Sequence, residues 1–489
     1  MTATTDQGSE PALIALYYYC VFLILLLAWP VLLIKKKTRV GLGQKLGFIP
    51  ASIKARSEAL HGCLWFHAVS VGEFNAILPL VKAFHDKHPQ RPLVVSTTTA
   101  TGQKLAQEKL GHLATIIFFP LDLPGAINAW LKVLKPELVV IAETEIWPGF
   151  TYECKKRGVK MMVVNGRMSP RSFKSYYRHR RFFRPVLRRF SAIGVQTPEE
   201  ASRYFAVGGD DLPVTSLGNI KFDGLEPLAA EVSEKLLATL GLTAAGSLSQ
   251  LAHEYGSGPP PTPVLVAGST HEGEEVCVLK AYAQLLDTTY GARAKLIIVP
   301  RHPERFERVA ELIREYDFVP RRFSENQGFS SDLPHVPGTR AEVYLLDVIG
   351  KLFDFYSLAS VAFVGGTLAP VGGHNIMEPY AYGVPVVVGP RTEKVKDLTA
   401  ALTAQNAISQ GKNEAGVIAC LLFFFADEKR RTEAGLAGRE ILISSQGAVV
   451  KALALIESQL GESPTSEKPA GESQPGESQF SLEEAVHER

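Results

Sequence analysis

Short apolar runs alternate with amphipathic helical patterns through most of this 489-residue chain. The first series of runs comprises Leu64–Val69, Leu93–Ser96, Thr115–Phe119, Leu138–Ala142, Met161–Val164 and Ala192–Val195. The second series comprises Val264–Ala267, Lys295–Val299, Val343–Leu346, Val361–Val364 and Val384–Val388. Alternation of this kind is typical of a parallel sheet with helices on both faces. The sequence therefore predicts an α/β protein with two doubly wound domains and a cleft between them.

A segment rich in glycine and proline, Gly256–Pro263, lies between the two series and is typical of a linker or surface insertion. We expect a first domain over residues 45–225, a linker over 226–262 and a second domain over 263–460. The remaining residues 461–489 repeat the triplet GES and are rich in proline, serine and glutamate. That composition buries too little apolar surface to offset the entropy of ordering, so it predicts a disordered tail.

The N-terminal segment Pro11–Ile34 is almost wholly apolar and long enough to cross the hydrocarbon core of a bilayer. Tyr17–Tyr19 and Trp29 are candidate interfacial anchors within it. Basic residues follow directly at Lys35–Lys37 and Arg39, and the positive-inside rule then places the rest of the chain in the cytoplasm. A cleaved signal peptide is the alternative, but its basic residues precede the apolar stretch. We predict a single uncleaved membrane anchor over residues 11–34.

Composition argues against several functional classes. The formal net charge of +2 disfavours bulk binding of nucleic acid. The five cysteines lie far apart without a CxxC pair, which is neither a zinc ribbon nor a disulfide framework. The chain also lacks a Walker lysine motif and a GxGxxG fingerprint, which disfavours ATPase and NAD-dependent functions. We predict no metal site.

The first apolar run ends at Ser70-Val-Gly72-Glu73, where a helical pattern begins. Ligands of open α/β sheets bind at the carboxyl ends of strands, so a carboxylate at Glu73 is a candidate general base. Ser70-x-x-Glu73 is equally the signature of a capping box, in which the glutamate accepts a hydrogen bond from a backbone N–H. Spacing alone favours the cap.

Two further strand ends in the first domain carry polar residues. Thr97, Thr98 and Thr99 lead into Gly102 at the start of a helix, where they either bind an anion or simply cap the helix. Glu143 and Glu145 precede Trp147, a combination that suggests sugar recognition or base catalysis, although either carboxylate could be a solvated loop charge.

Residues 167–189 are strongly basic and include aromatic side chains. Such a mixture suits a membrane surface or a phosphorylated lipid, and a plain solvated helix face is the alternative. RNA binding would use similar residues, but no nucleic-acid motif accompanies them.

The second domain has the character of a nucleotide-binding domain, because glycines and an arginine follow its strands. Glycine allows close backbone approach to phosphate, and Arg301 could neutralise the phosphate. Glu378 could accept hydrogen bonds from ribose hydroxyls, or it could cap a helix with Asn375.

Taken together, these segments resemble the family of 3-deoxy-D-manno-octulosonic acid (Kdo) transferases. The resemblance runs from the apolar N-terminal segment to about Leu460. Its segments are His67–Glu73, Ser96–Gly102, Ala142–Pro148, Asn165–Ser172, Gly218–Asp223, Ala267–Glu275, Pro300–Phe306 and Phe363–Pro379. One such segment would be weak evidence, whereas eight in the same order are specific.

The resemblance implies the GT-B architecture, in which two Rossmann-like domains face each other across a cleft. It also implies transfer of Kdo from CMP-Kdo to a lipid A precursor (lipid IVA) at the cytoplasmic face of the inner membrane. The transfer would invert the anomeric carbon and need neither a metal nor a cofactor besides the donor. Another GT-B transferase with a different nucleotide sugar and lipid, or a non-catalytic membrane-tethered binding protein, remains as an alternative.

The resemblance makes Glu73 the catalytic base. On the acceptor side of the cleft it places Ser70, Gly72, Thr97, Thr98, Thr99, Gly102, Glu143, Glu145, Arg167 and Arg171. On the donor side it places Gly268, Ser269, Thr270, Arg301, His302, Gly366, Gly373, His374, Asn375 and Glu378. Three positions depart from the usual family pattern, namely Gly149, Lys351 and Arg391.

Overall fold

The computed structural model describes residues 10–34, 39–227, 236, 262–324 and 341–461. Most of the predicted linker, nearly all of the predicted tail and the basic residues Lys35–Lys37 lie outside the described residues.

The first domain contains a seven-stranded parallel sheet in the order β3-β2-β1-β4-β5-β6-β7. Its strands are β1 (Leu64–His67), β2 (Leu93–Thr97), β3 (Thr115–Phe118), β4 (Leu138–Ala142), β5 (Lys160–Gly166), β6 (Ala192–Val195) and β7 (Val214–Ser216). Strand β4 is buried along its whole length because helices cover both faces of the sheet.

The helices of this part of the chain are α1 (Glu10–Ile34), α2 (Leu42–Lys45), α3 (Ala51–Lys54), α4 (Val71–Lys87), α5 (Ala100–Leu110), α6 (Pro124–Leu134), α7 (Pro148–Lys156), α8 (Pro170–Arg178), α9 (Arg180–Leu187), α10 (Pro198–Gly208) and α11 (Ile220–Asp223). Several begin at side chains that accept a backbone N–H, as the sequence favours at Ser70, Thr99, Ser169 and Thr197.

The second domain contains another seven-stranded parallel sheet, in the order β10-β11-β9-β8-β12-β13-β14. Its strands are β8 (Val264–Thr270), β9 (Lys295–Pro300), β10 (Val319–Arg322), β11 (Glu342–Leu345), β12 (Val361–Val364), β13 (Val386–Val388) and β14 (Ile408–Gln410). The helices are α12 (Glu274–Leu286), α13 (Phe306–Glu315), α14 (Leu352–Tyr356), α15 (Lys396–Ala404), α16 (Glu414–Ala426), α17 (Glu428–Ser444) and α18 (Ala448–Leu460). The two doubly wound sheets confirm the predicted fold class.

Alternate residues along each strand point to opposite faces, and each face has its own apolar core. In the first sheet Trp65 and Val94 belong to one core, whereas Phe66 and Val95 belong to the other. Polar residues follow the carboxyl ends of the strands in both domains, which is where open α/β proteins bind ligands.

Helix α18 differs from the predicted division of the chain, which assigned residues 263–460 to the second domain. The helix packs on the first sheet, where Ala452 and Ile456 join the core that contains Phe66. Asp223 fixes the crossing, because its carboxylate accepts hydrogen bonds from the backbone N–H groups of Gly447 and Val449. Sequence spacing does not reveal this packing, because the apolar face of an amphipathic helix does not indicate which sheet it covers.

Within the part of the chain that the structure describes, two helical stretches, Pro11–Ala28 and Glu428–Leu460, are long and apolar enough to cross a membrane. The second belongs to the fold, because Leu442 and Ile456 are buried in the cores of the two domains. The first, within α1, has mostly exposed side chains.

Glu457 provides a test of the α18 crossing. Its buried carboxylate accepts hydrogen bonds from Lys87 Nζ at 2.9 Å and His88 Nε2 at 2.8 Å. Burial alone would raise the pKa of Glu457, but these two partners lower it below its ordinary value. We expect Glu457→Gln to destabilise the first domain by about 1–3 kcal/mol at pH 7, because a charge-assisted interaction is lost.

A carboxyl whose pKa is lowered by folding contributes stability above its unfolded pKa and loses it as the pH falls through the folded pKa. The deficit of Glu457→Gln should therefore shrink on acidification, as measured by thermal unfolding. Glu440→Gln, on the exposed face of α17, is the control and should have little effect. An equal deficit at acidic and neutral pH would contradict this assignment.

Candidate active site

Glu73 lies in the first turn of α4, close to the carboxyl end of β1. The Val69 N–H donates to Glu73 Oε2 at 2.7 Å, and Ser70 Oγ donates to Oε1 at 3.1 Å. In return, the Glu73 N–H donates to Ser70 Oγ at 3.3 Å. The predicted cap is confirmed, although the carboxylate binds the N–H of the residue before the N-cap rather than that of Ser70. Glu73 is half-buried, so its carboxylate is not sealed off from solvent.

Glu143 and Glu145 bring two more carboxyl groups to the same region. Burial raises the pKa of Glu73, and the negative charge of Glu143 adds to the rise against the opposing Val69 N–H. Burial and the charges of Glu73 and Glu143 raise the pKa of Glu145 to about 7. A carboxyl pKa raised by neighbouring carboxylates indicates that the groups lie close together in a confined site. The structure therefore brings together three predicted site residues that follow β1 and β4.

Glu143 adopts a left-handed backbone conformation with φ of 55°, which is uncommon for a residue other than glycine. Its N–H donates to the Val164 carbonyl at 2.9 Å, and its Oε1 accepts from Lys221 Nζ at 2.8 Å. Lys221 lies on α11 and was not among the predicted site residues. The segment Gly218–Asp223 that contains it was noted for the resemblance, but nothing in its spacing pointed to Glu143.

Three buried polar atoms without a hydrogen-bond partner, within the part of the chain that the structure describes, lie at strand ends of the first sheet. They are His67 Nε2, Thr98 Oγ1 and Asn165 Nδ2. Unpaired buried polar atoms are rare and costly, so each of the three is a candidate partner for a polar ligand or water. His67 is neutral here, because burial lowers its pKa to about 3. The sequence prediction included Thr98 and missed the other two.

The turn that leads into α5 behaves mainly as a helix cap. The Gly102 N–H donates to Thr99 Oγ1 at 3.1 Å, and Thr97 Oγ1 donates to Gln103 Oε1 at 2.8 Å. The Thr98 N–H donates to the Val69 carbonyl at 3.3 Å, which ties this turn to the loop before Glu73. The Thr98 hydroxyl is therefore the group of this turn that is left for another partner.

The basic stretch has two kinds of residue rather than one uniform face. Arg189 is buried and structural, since its guanidinium donates to the Pro148 carbonyl and Thr151 Oγ1, both at 2.8 Å. Arg171 is exposed on α8. Arg167 reaches the second domain, where its Nη2 donates to the Lys394 carbonyl at 2.8 Å. This contact shows that the carboxyl edges of the two sheets face each other.

The second domain is organised around Glu274, a buried carboxylate at the start of α12. Its two oxygens accept five backbone hydrogen bonds, one from His271 and four from consecutive residues of the loop after β12, namely Gly366, Thr367, Leu368 and Ala369. The sequence analysis placed Gly366 of this loop on the donor side, where glycine allows close backbone approach to phosphate. In the structure the N–H groups of residues 366–369 donate to Glu274, so they are not free to bind a phosphate.

The neighbouring glutamate, Glu275, ties together the loops after β8 and β9. Arg305 binds its carboxylate with two hydrogen bonds of 2.6 and 3.0 Å, and Thr270 Oγ1 donates to it at 2.8 Å. The Thr270 hydroxyl is therefore a structural group. Ser269 beside it is partly exposed and left-handed, with φ of 55°. Gly268 has to be glycine, because a Cβ there would lie 2.1 Å from the Tyr356 hydroxyl.

Three histidines meet where β8, β9 and β12 end. His271 Nε2 and His374 Nε2 lie 2.7 Å apart, so one nitrogen donates and the other accepts. The His302 ring lies 5.3 Å from that of His271. Burial, His271 and the nearby Arg301 lower the pKa of His374 to about 4. His271 was absent from the predicted donor residues, whereas His302 and His374 were included.

Glu378 and Asn375 complete this side. Desolvation raises the pKa of Glu378 to about 7, while Asn375 Nδ2 donates to its Oε1 at 3.1 Å. Asn375 Oδ1 also accepts the Met377 N–H at 3.1 Å, so the predicted cap is formed by asparagine. Gly373 is left-handed, with φ of 94°, and its N–H donates to the Gly366 carbonyl. The Arg301 side chain is exposed and lies near His374, so it adds a positive charge to this cluster.

Comparison with known proteins decides the family. A family model described as 3-deoxy-D-manno-octulosonic-acid transferase (kdotransferase) matches residues 40–224. A curated 3-deoxy-D-manno-octulosonic acid transferase of Haemophilus influenzae is 30% identical over 398 residues, which is 81% of this chain and 87% of the relative. The chain belongs to the Kdo transferase family.

Two solved structures are also similar to this transferase. One is described as the C-terminal CMP-Kdo binding domain of WaaA from Acinetobacter baumannii, at 29% identity and a TM-score of 0.35, covering 43% of this chain and 96% of that one. A glycosyltransferase from Rickettsia africae has a TM-score of 0.53 at 12% identity, covering 82% of this chain and all of that one (100%). The second likeness concerns the fold, and it agrees with two Rossmann-like domains in a GT-B arrangement.

Glu274 supports a prediction about the donor-side loop. Glu274→Gln replaces one acceptor oxygen with an NH₂ group that faces N–H donors, so several of the five hydrogen bonds are lost. We expect faster hydrogen exchange at the amides of residues 366–369 and a thermal destabilisation of about 2–3 kcal/mol. Glu272→Gln, at an exposed neighbouring position, is the control. Unchanged exchange in Glu274→Gln would show that the carboxylate does not hold the loop.

Proposed function

We propose that this transferase moves Kdo from CMP-Kdo to a lipid A precursor, lipid IVA, with inversion at the anomeric carbon. Family membership supports Kdo transfer. The observation that carries the chemistry is the group of three carboxyl groups at the edge of the first sheet that faces the donor-side loops. A sugar hydroxyl is a poor nucleophile, and carboxylates with raised pKa values are suited to removing its proton.

In this proposal Glu73 is the general base. The acceptor oxygen forms a bond to the anomeric carbon of Kdo, the bond to the CMP phosphate breaks, and the hydroxyl proton passes to Glu73. The raised pKa of Glu73 makes it a stronger base than a solvated glutamate, while its two hydrogen-bond donors keep it oriented. Glu145, with a pKa of about 7, carries a proton part of the time and hydrogen-bonds the acceptor.

The donor binds in this proposal between Arg301 and the histidine cluster. CMP leaves as an anion, and cationic or N–H groups can stabilise that charge without a metal. Since Glu274 occupies the N–H groups of residues 366–369, Arg301 and the three histidines are the donors proposed for the phosphate. Gly268, Ser269 and Gly373 shape the pocket, and Glu378 accepts hydrogen bonds from the ribose.

The proposed acceptor is a membrane lipid, so the protein acts at the cytoplasmic face of the inner membrane. Helix α1 is apolar enough to hold it there. The exposed basic residues of α8 and α9, including Arg171, face acceptor phosphates or anionic lipid. The predicted absence of nucleic-acid binding and of a metal requirement remains part of the proposal.

The direct test is to incubate the purified chain with CMP-Kdo and lipid IVA and to measure the acceptor mass. A mass increase by one or more Kdo units, unaffected by EDTA, supports the proposal. Transfer from another nucleotide sugar in place of CMP-Kdo would favour the alternative of a different GT-B transferase. An unchanged acceptor with every donor would favour a binding protein.

The base assignment predicts a large loss of turnover in Glu73→Gln. The amide keeps the size of the side chain and one acceptor oxygen but cannot take a proton, so kcat should fall by about 10²–10⁴-fold. Ser70→Ala removes the cap and one of the two donors but keeps the carboxylate and its Val69 N–H donor, so it should cost about 0.5–2 kcal/mol of stability and lower kcat far less than Glu73→Gln. Wild-type turnover in a folded Glu73→Gln variant would exclude Glu73 as the base.

The charges of Glu143 and Lys221 predict that removing either one shifts the pH dependence of activity, in opposite directions. Glu143 raises the pKa values of Glu73 and Glu145, whereas Lys221 lowers the pKa of Glu73. Activity that requires ionised Glu73 rises with pH. Glu143→Gln should therefore move the acidic limb of kcat/KM to lower pH, and Lys221→Gln should move it to higher pH. Shifts in the same direction would contradict electrostatic coupling to Glu73.

A further inference from the structure

Helix α1 lies along the surface of the first domain. The side chains of α1 that are buried or half-buried recur at helical spacing and form one stripe, which consists of Ile14, Tyr17, Tyr18, Val21, Leu25 and Ala28. A stripe with this period is produced when one side of a helix packs against a protein surface. The surface is formed by α7, and the Tyr17 ring also lies 6.0 Å from that of Phe182 on α9.

Polar contacts fix the position of the stripe. Tyr17 donates a hydrogen bond of 2.6 Å to Asp122, a buried residue whose carboxylate also accepts the backbone N–H groups of Gly149 and Phe150. Tyr18 donates to the Gly149 carbonyl at 3.2 Å and is also 3.3 Å from Glu153 Oε1. A hydrogen bond to a carboxylate is stronger than one between neutral groups, so the short bond from Tyr17 to Asp122 is the main polar contact of the stripe.

Gly149 leaves the space that the contact needs. A Cβ at this position would lie 2.5 Å from Tyr18 Cε1 and 2.7 Å from Asp122 Oδ1. Gly149 has an ordinary helical position in α7, so its backbone does not require glycine. The absence of a side chain is therefore explained by the close approach of Tyr18.

These contacts are incompatible with a helix that crosses the bilayer. Tyr18 is held against the first domain, so at most the segment from Tyr19 to Ile34 is free to leave it. Those residues extend about 24 Å at 1.5 Å per residue, and the half-buried Leu25 and Ala28 shorten the free part further. The hydrocarbon core is about 30 Å thick.

The opposite face of α1 is exposed and apolar. Its large exposed side chains are Leu13, Leu16, Tyr19, Phe22, Leu23, Ile24, Leu26 and Leu27. Exposed basic side chains lie nearby on α8 and α9, at Arg178, Arg180 and Arg181. An apolar helix face beside exposed cations fits the boundary between lipid headgroups and acyl chains.

We propose that α1 is an in-plane anchor, which lies at the surface of the cytoplasmic leaflet with Tyr17 and Tyr18 locked to the first domain. This arrangement replaces the single-pass topology expected from the charge pattern. It also fixes the distance of the candidate active site from the membrane surface. Helix α1 packs on α7, and α7 begins directly after the loop that carries Glu143 and Glu145. The proposal concerns the anchor alone and does not depend on the identity of the donor or acceptor.

The position of the N-terminus tests the topology. The test uses the whole chain with its five cysteines replaced by alanine and with the substitution Thr4→Cys. Intact spheroplasts of cells that express this variant are treated with a membrane-impermeant maleimide. An in-plane anchor keeps Thr4 in the cytoplasm, so labelling should require lysis, as it should for the control Lys109→Cys at an exposed position of α5. Labelling of Thr4→Cys in intact spheroplasts would overturn the proposal.

The depth of α1 in the membrane, measured at several positions along the helix, gives a second test that does not rely on labelling of the N-terminus. Spin labels at Leu16, Leu23 and Leu27 occupy the same exposed face of α1. In vesicles that contain anionic lipid, an in-plane helix should place all three at similar shallow depths. A spanning helix would separate the first and last by about 16 Å along the membrane normal. A depth difference of that size, or labels that are inaccessible to lipid-soluble oxygen, would contradict in-plane insertion.

The tyrosine lock has a matched pair of variants. The double variant Tyr17→Phe, Tyr18→Phe removes both hydroxyls but keeps the apolar surface of α1, so membrane binding should persist. The distribution of distances between spin labels at positions 16 and 109 should become broader. Tyr19→Phe removes an exposed hydroxyl from the same helix and should leave the distances narrow. Equal distance distributions in the two variants would show that the hydroxyls do not hold α1.

Discussion

Buried and half-buried carboxylates that accept backbone N–H groups hold the loops of this protein in place. Glu274 fixes the loop after β12, Asp122 fixes the start of α7, and Asp223 fixes the start of α18. A buried carboxylate without partners is costly, so the backbone N–H groups that donate to it stabilise the folded protein. Each of these side chains therefore commits a distant segment of chain to one position.

The candidate catalytic carboxyl groups differ from these structural ones in how well they are satisfied. Within the described part of the chain, Glu145 has no backbone donor comparable to those of Glu274, and burial with two negative neighbours raises its pKa to about 7. Glu73 is intermediate, because the Val69 N–H orients it while burial and Glu143 raise its pKa. The cap and the proposed base are thus compatible, since the hydrogen bonds that start α4 also hold the carboxylate in place near Glu143.

The sequence predicted the two sheets well because parallel strands buried on both faces are continuous apolar runs. Strands β4, β6 and β12 have the predicted limits. The short edge strands β7, β10 and β14 were missed, since edge strands are less apolar and lack the flanking pattern. Residues brought together by tertiary contacts were missed as well, including Lys221 beside Glu143.

Two misassignments have the same physical origin. The loop after β12 contains glycines at Gly365 and Gly366 and was expected to bind phosphate, but a carboxylate on α12 takes its N–H groups. Helix α18 was assigned to the domain that precedes it along the chain, but it packs on the other one. In both cases the partner lies far away in sequence, and a local pattern contains no information about it.

The central claim is that Glu73 activates an acceptor hydroxyl for one direct displacement on Kdo. The most direct measurement is the anomeric configuration of the new glycosidic bond, determined by NMR on purified product and compared with that of CMP-Kdo. A single displacement aided by a base predicts the opposite configuration. Retention of the donor configuration would contradict this mechanism and would require a second displacement, with a nucleophile in place of the base.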